Sequence, residues 1–340
     1  MSALATHSRK LMSMSSMSSS AGTSWIFDKP LWWVHRMCFY VLKWGSMPKH
    51  IAFIMDGNRR YAKKLGADRV AGHQRGFSKL TETLQWCLDL NVLEVTVFAF
   101  SIENFKRSED EVDTLMYLAR EKFRNLIEEW QKLREHGICV RVIGNLTLLP
   151  KDLITLIMIA MLLTKDNKRA FLNIAFSYTS REEMCTTSSQ IVYGFRNGSM
   201  CESEITENIF DRCLYTYCSP VPELMVRTSG EHRLSDFLMW QGSFSYIHFV
   251  NVLWPEFSPW NLMSAVFCYQ HFVNKLAKPF YKELPSVTEN LSHCVNILHE
   301  ERLRILHDMC CSNGQSMNWQ KLNSISCDDL YDYYKTNFKA

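Results

Sequence analysis

The sequence predicts an α/β protein: a central, mostly parallel sheet of about six strands with helices packed on it. Two observations carry that prediction. From Lys49 onward, short apolar runs rich in β-branched residues alternate with longer amphipathic stretches, the pattern of strand–helix–strand units. Several of the apolar runs then stop abruptly at polar, mostly basic clusters, as strands do at the ligand-binding edge of a parallel sheet. The composition permits a large core, with 47% hydrophobic and 21% charged residues among 340. A formal net charge of +3 is too mild for the strongly basic face that nucleic acid demands, so no nucleic-acid partner is expected.

In chain order, residues 1–24 are Ser- and Met-rich without a core pattern and are expected to be a disordered extension. Residues 25–45 form an amphipathic N-terminal helix rich in Trp and Phe. His35, Arg36 and Lys43 interrupt it, and it falls short of the roughly 20 apolar residues that cross a bilayer. Two readings are open for it: an interfacial helix lying on a membrane or over an apolar opening, and an ordinary helix packed on the core. Strands are expected at 51–55, 92–100, 138–143, 171–176, 224–226 and 247–250. The clearest helical stripe spans 111–136, with Val112, Leu115, Met116, Ala119, Phe123, Leu126, Ile127, Trp130 and Leu133 at helical spacing. A second carries Phe77, Leu80, Leu84, Cys87 and Leu88. On spacing alone both stripes read as core. Pro255 and Pro259 precede one more helix, Pro279 and Pro285 end it, and residues 282–340 form a tail with helical patches. The twelve cysteines are scattered apart from the pair Cys310 and Cys311, without CxxC spacing or a secretory signal. Reduced thiols in a cytosol-facing protein are therefore expected, and no zinc site.

The run IAFIMDGNRRYAKK, residues 51–64, concentrates the chemistry. Five apolar residues end at one acid, Asp56, followed by Gly57 and a cluster of Asn58, Arg59, Arg60, Lys63 and Lys64. A helix starting just past a strand end offers free N–H groups and a positive dipole end to an anion. Arginines add bidentate donors shaped for phosphate. A lone carboxylate amid that charge is a candidate Mg²⁺ anchor, because Mg²⁺ takes one or two carboxylates plus substrate phosphates. Later strand ends repeat the pattern. One leads into SIENFKR, with Ser101, Glu103, Asn104 and Arg107; another into RTSGEHRLS, with Arg227, Thr228, Ser229, Gly230, Arg233 and Ser235. The helix after the first strand adds Arg69 and His73. In a parallel sheet these groups converge on one edge. Two anion sub-sites can be read: residues 56–60 with Arg69 and His73, and Arg227, Arg233 and Ser235, with Arg107 between. Two anion sites sharing one metal suit a reaction between two diphosphates. Neither GxxxxGK(S/T) nor GxGxxG after a strand occurs.

The segments MPKHIAFIMDGNRRYAKK, AGHQRGF, LEVTVFAFSIENFKRS, RTSGEHRLSDFLMWQ and VLWPEF stand in the order and spacing of the cis-prenyltransferases, which the chain resembles over residues 25–281. Within that family it is most similar to eukaryotic catalytic subunits of the dolichol type. The resemblance implies that Asp56 is the Mg²⁺ ligand and that Gly57, Asn58, Arg59, Arg60 and Arg69 hold the diphosphate of an allylic primer. Arg227, Arg233 and Ser235, with Arg107 alongside, would hold isopentenyl diphosphate. Asn58, His73, Ser101 and Asn104 would orient the reacting groups and the departing proton. The growing hydrocarbon needs a dry, hydrophobic tunnel, so the two helical stripes become expected tunnel walls and the N-terminal helix an expected gate or membrane contact. The implied reaction adds isopentenyl units to farnesyl diphosphate, giving long-chain polyprenyl diphosphate for dolichol synthesis and protein glycosylation. The implied place is the cytosolic face of the endoplasmic reticulum, as a peripheral membrane protein.

Three departures qualify the resemblance. Tyr246 stands where bacterial relatives carry a Glu that helps bind metal, and Asn145 follows Gly144 where an Asp is usual. No Arg-x-Gly follows the last core helix; the match at Arg196 to Gly198 lies mid-chain. The missing Glu and the missing Arg-x-Gly imply a non-catalytic partner of the Nogo-B receptor type that supplies a C-terminal Arg-x-Gly, while Asn145 and the tail beyond Tyr281, unlike the family, leave open a divergent or tissue-restricted paralogue. A catalytically weakened paralogue acting as a regulatory subunit is the alternative, and the intact set Asp56, Arg107, Arg227 and Arg233 favours the enzyme. Asp328, Asp329 and Asp332 spell DDxxD, a diphosphate motif of all-helical prenyltransferases. It occurs once, near the terminus, and reads as a solvated helix start.

Overall fold

Six parallel strands form one sheet in the computed structural model, in the order β3-β4-β2-β1-β5-β6. They are β1 (His50–Ile54), β2 (Glu94–Ser101), β3 (Ile138–Ile143), β4 (Ala170–Tyr178), β5 (Leu224–Arg227) and β6 (Tyr246–Phe249), one for each expected run. The described residues are 33–275, 295, 299–300, 302–305 and 326–338. Residues 1–24, the first part of the expected N-terminal helix and the larger part of 282–340 lie outside them. The helices are α1 (Trp33–Leu42), α2 (Asn58–Lys64), α3 (Arg69–Asp89), α4 (Glu109–Glu128), α5 (Trp130–Glu135), α6 (Lys151–Thr164), α7 (Ser180–Arg196), α8 (Glu207–Cys213), α9 (Pro259–Phe272) and α10 (Cys327–Phe338).

Every residue of β1 is buried, so the strand needs apolar cover on both faces, as parallel sheets generally do. One face joins Phe53, Val97, Phe123, Ile157 and Trp254 in the larger core. The other carries Ala52, Ile54, Met225 and Tyr178 in a smaller core under Phe237 and Leu238. The order of strands reverses at β1, which lies between β2 and β5. That reversal opens a crevice at the carboxyl ends of the strands.

Two elements depart from regularity, β2 at that edge and the helical stretch that leads back to the start of β3. Phe98 pairs with Ala175 but Phe100 with Phe176, leaving Ala99 as an extra residue in β2. A bulge of this kind shifts the strand's alternation by one. Phe98 accordingly packs against the smaller core, whereas Phe100 joins the larger one. The stripe expected as one helix over 111–136 is two, α4 and α5, which meet at Glu129, where φ is −98° and ψ is 18°. Apolar spacing runs unbroken through the joint, because Ile127, Trp130 and Leu133 are all buried. Periodicity therefore carries no trace of the break.

Helix α1 packs one face on α9: Phe39 is buried, and Gln270 Nε2 donates to the Leu42 carbonyl at 2.8 Å. Its other face exposes Trp33, Met37, Tyr40 and Val41, with Trp44 just beyond. Each of the two readings open for this segment thus has one face of the helix. Among the described residues no helix is long and apolar enough to cross a membrane. In the tail, α10 buries Leu330 and Tyr334 in the larger core and sets the Tyr331 ring 6.1 Å from Trp130. Asp328, Asp329 and Asp332 are exposed on it, and Ser326 Oγ accepts from the Asp329 N–H at 3.2 Å, a capped helix start.

Candidate active site

One cavity of about 1360 Å³ at the carboxyl edge of the sheet is lined by Asp56, Gly57, Asn58, Arg59, Arg60, Arg69, His73, Ser101, Asn104, Arg107, Arg227, Arg233 and Ser235, whereas Lys64, Thr228, Ser229 and Gly230 lie off it. The turn out of β1 depends on Gly57, whose φ of 109° is strained for any side chain; a Cβ there would also press on Leu253. Past that turn α2 starts, so its first N–H groups face the mouth. Ser101 and Asn104 form a capping box at the end of β2. Ser101 Oγ accepts from the Glu103 N–H at 3.2 Å, and Asn104 Oδ1 accepts from the Ser101 N–H at 3.1 Å.

Asp56 and Arg227 join the two strands across the crevice. Arg227 is 3% exposed; its Nη2 donates to Asp56 Oδ2 at 2.8 Å and its Nη1 to Ser235 Oγ at 2.8 Å and to the Arg233 carbonyl. Thr228 Oγ1 closes the backbone on the same side, donating to the Asp56 carbonyl at 2.8 Å. Partial burial pushes the Asp56 carboxyl up, but the hydrogen bond and charge of Arg227, with the charge of Arg60, outweigh it and hold the group below the ordinary carboxylate value. His73 is held below the usual imidazole value, first by burial and then by the Arg107 charge. Its Nε2, like Asn58 Oδ1 and Arg227 Nε, has no hydrogen-bond partner among the described residues.

Two glutamates that sequence reasoning did not single out hold the arginines together. Glu111 accepts from Arg107 at 2.8 Å and from Arg69 at 3.0 Å, and lies 3.6 Å from Arg59. Glu231 lies 3.2 Å from Arg60 and also binds Arg233. Arg107, which the residues alone put between the two sub-sites and the resemblance put beside isopentenyl diphosphate, is joined through Glu111 to Arg59 and Arg69, while Arg60 reaches over to Ser229 and Glu231. Behind this polar mouth the walls are apolar, with Phe77 and Leu80 from α3, Leu118, Phe123 and Leu126 from α4, and Val97 and Ile174 from the sheet. Both helical stripes thus contribute to the wall as well as to the core.

The undecaprenyl diphosphate synthase prenyltransferases match residues 54–276. The chain belongs to this family. It is 53% identical over 262 residues to the dehydrodolichyl diphosphate synthase complex subunit of Homo sapiens, covering 76% of this chain and 79% of that one. A subunit of the same description in Schizosaccharomyces pombe is 39% identical over 71% of this chain and 93% of its own. The geranylgeranyl-diphosphate-specific tritrans,polycis-undecaprenyl-diphosphate synthase of Methanopyrus kandleri is 41% identical over 66% of this chain and 83% of its own. Among solved structures, lavandulyl diphosphate synthase from Lavandula x intermedia, in complex with dimethylallyl diphosphate, superposes with a TM-score of 0.63 at 31% identity. That match covers 66% of this chain and 95% of the other. The chain is thus a cis-prenyltransferase by family, and its central sheet is the fold that the family implies.

Two departures from the family pattern have structural settings. Tyr246 begins the edge strand β6, away from the carboxyl edge, and stacks on Phe272 with ring centroids 5.6 Å apart. It does not line the cavity. Asn145 donates through Nδ2 to Glu182 Oε1 at 2.9 Å. A carboxylate at that position would face another carboxylate; the amide avoids that repulsion.

Proposed function

We propose that this chain is the catalytic subunit of a Mg²⁺-dependent cis-prenyltransferase that extends farnesyl diphosphate with isopentenyl diphosphate. The product is a long-chain polyprenyl (dehydrodolichyl) diphosphate for dolichol synthesis and protein glycosylation. The observation that carries this reading is the cavity itself: a mouth where arginines outnumber the carboxylates Asp56, Glu103, Glu231 and Asp236, leading into apolar walls. A diphosphate fits the mouth and a hydrocarbon fits the interior.

Asp56 is the residue suited to hold the metal. Among the described residues no three or more of His, Cys, Asp and Glu gather into a metal site. A divalent ion there would need phosphate oxygens to complete its shell, which is how Mg²⁺ is commonly bound. When bound, Mg²⁺ would neutralise charge on the leaving diphosphate. The protein's own groups supply the rest. Arg59, Arg60 and Arg69, with the N–H groups beside Gly57, would hold the allylic diphosphate, exchanging Glu111 and Glu231 for phosphate oxygens. Arg227, Arg233 and Ser235, with Arg107 nearby, would hold isopentenyl diphosphate so that its double bond lies over the allylic carbon. Such positioning is worth up to roughly 7–11 kcal/mol of barrier. Asn58, Ser101 and Asn104 would orient the reacting ends, and His73 Nε2, without a hydrogen-bond partner among the described residues and held below the usual imidazole value by burial, is suited to accept the departing proton.

The names of the human and fission-yeast relatives mark them as subunits of a complex. That supports a partner for this chain, here a non-catalytic, Nogo-B receptor-type subunit bringing an Arg-x-Gly to the diphosphate. The exposed aromatic face of α1 supports peripheral attachment to the cytosolic face of the endoplasmic reticulum. Incubation with labelled isopentenyl diphosphate, farnesyl diphosphate and Mg²⁺, with the partner co-expressed, should yield a ladder of cis-polyprenyl diphosphates. Absence of any incorporation by the assembled complex would assign the chain to the regulatory role instead.

A further inference from the structure

The segment that carries Arg233 and Ser235 adopts a backbone that ordinary residues avoid. Ser229, Ser235, Asp236 and Leu238 have φ of 80°, 52°, 61° and 44°, and none is glycine. Left-handed conformations of this kind persist only where the surroundings over-determine them. Apolar burial does part of that: Phe237 and Leu238 are fully enclosed, and Phe237 stacks on Phe98 with centroids 4.6 Å apart. The polar part comes from the first turn of α7. The Ser180 N–H donates to the Asp236 carbonyl at 2.8 Å, and the Arg181 N–H to Asp236 Oδ1 at 3.1 Å. Arg181 Nε donates to Asp236 Oδ2 at 2.9 Å, and the Met239 N–H returns to Ser180 Oγ at 3.0 Å.

We propose that Asp236 is a positioning residue for the homoallylic diphosphate sub-site: clamped to the first turn of α7, it fixes the conformation in which the adjoining Ser235 meets Arg227. The proposal rests on the cis-prenyltransferase function proposed above and adds a residue to that site. The geometry runs in one line. The Asp236 carboxylate takes two donors of Arg181, Ser235 is its covalent neighbour, and Ser235 Oγ and the Arg233 carbonyl both accept from Arg227 Nη1. Arg227 in turn holds Asp56 through its other nitrogen. Asp236 and Arg181 both line the cavity, so the clamp lies at the mouth itself. Without the clamp, residues 235 and 236 are free to relax to negative φ, which swings the hydroxyl off Arg227. Among the described residues Arg59, Arg60, Arg69 and Glu111 of the allylic side make no hydrogen bond or ion pair to Asp236, Ser180 or Arg181, so the primer side should respond far less.

The test uses the full-length chain assembled with its partner and measures both KM values alongside binding of isopentenyl diphosphate by calorimetry. Asp236→Ala should raise the isopentenyl KM and Kd by roughly tenfold or more, the size of a lost charge-assisted hydrogen bond. The farnesyl diphosphate KM should stay within about twofold of its starting value, which is ordinary for a site that keeps its contacts. Asp236→Asn keeps an acceptor for the Arg181 N–H and should restore most of the loss; Arg181→Ala keeps the backbone donor and should have a small effect. A merely structural role would move both KM values together, and that outcome overturns the proposal, as does an unchanged isopentenyl KM in Asp236→Ala. If Asp236→Ala does not fold, Asp236→Gly, which accepts the positive φ of this position and also removes the carboxylate, carries the same prediction, and equal effects on the two KM values overturn the proposal there too. Failure of the proposed function itself is read separately: the unsubstituted complex would then bind or turn over no isopentenyl diphosphate.

Discussion

Asp56 sits between two arginines before any substrate arrives, and its charge is what keeps Arg227 tolerable in a buried place. Asp56→Ala would strip Arg227 of both its counter-charge and its acceptor, whereas Asp56→Asn loses the anion and keeps an acceptor, so it is the milder probe. Turnover should fall by at least about 10²–10³, and the melting temperature should fall too, because Arg227 loses its counter-charge, so rates are compared on the folded protein. An Asp56→Asn complex of near-normal rate would remove Asp56 from the metal-binding role. Arg233→Lys should raise the isopentenyl KM well above any change in the primer KM, because lysine keeps the charge and loses the planar fork; steady-state kinetics with each substrate varied in turn will show it. At this scale most of the mouth was legible, because charged residues just past apolar strands have few places to go except the strand edge. Glu111 and Glu231 were not. Glu111 falls four residues after Arg107, a spacing that pairs side chains on a helix, but its contacts with Arg69 and Arg59 come from other elements. No local pattern encodes those.

The strands were the easiest elements to read from sequence, since buried parallel strands are continuous apolar runs. The helices were harder wherever apolar spacing served two purposes. Leu126 on α4 lines the main cavity and also a smaller apolar cavity of about 50 Å³ beneath it, bounded by Leu88, Val92, Leu133 and Leu172. The second cavity lies along the starts of β2, β3 and β4, and the far end of β2 belongs to the mouth. Leu126→Ala should open one into the other and shift the product distribution to longer chains. The core loss itself costs about 2–5 kcal/mol, so a melting curve should accompany the product analysis. Unchanged product lengths in a folded variant would mean the chain does not pass Leu126. Helix α1 makes a separate prediction: replacing Trp33, Met37 and Trp44 by Ser should lower co-flotation with liposomes and leave diphosphate binding alone. Equal flotation would reduce α1 to the helix that packs on α9.

Across the whole molecule, acid sensitivity follows from histidines buried neutral. Burial holds His50 and His73 below the usual imidazole value and pushes His299 down to about 4. In the unfolded chain each takes up a proton near 6.5. Between that value and the lower folded ones the unfolded state binds more protons, so stability falls as pH drops through this window and levels off beneath it. Melting temperatures should therefore decline from about pH 6.5 downward, and His50→Asn should flatten the decline; a melting temperature that rises on acidification would contradict the assignment. Activity, by contrast, is expected to depend on a second chain, because Tyr246 lies off the cavity and offers no carboxylate. The measurement closest to the central claim is labelled isopentenyl incorporation by the purified chain, alone and co-expressed with a subunit ending in Arg-x-Gly, each with and without Mg²⁺ and each repeated with Asp56→Asn. Strong, Mg²⁺-dependent chain elongation should appear only in the co-expressed complex and vanish with Asp56→Asn. Equal turnover by the isolated chain, or elongation that survives loss of Asp56, would contradict it.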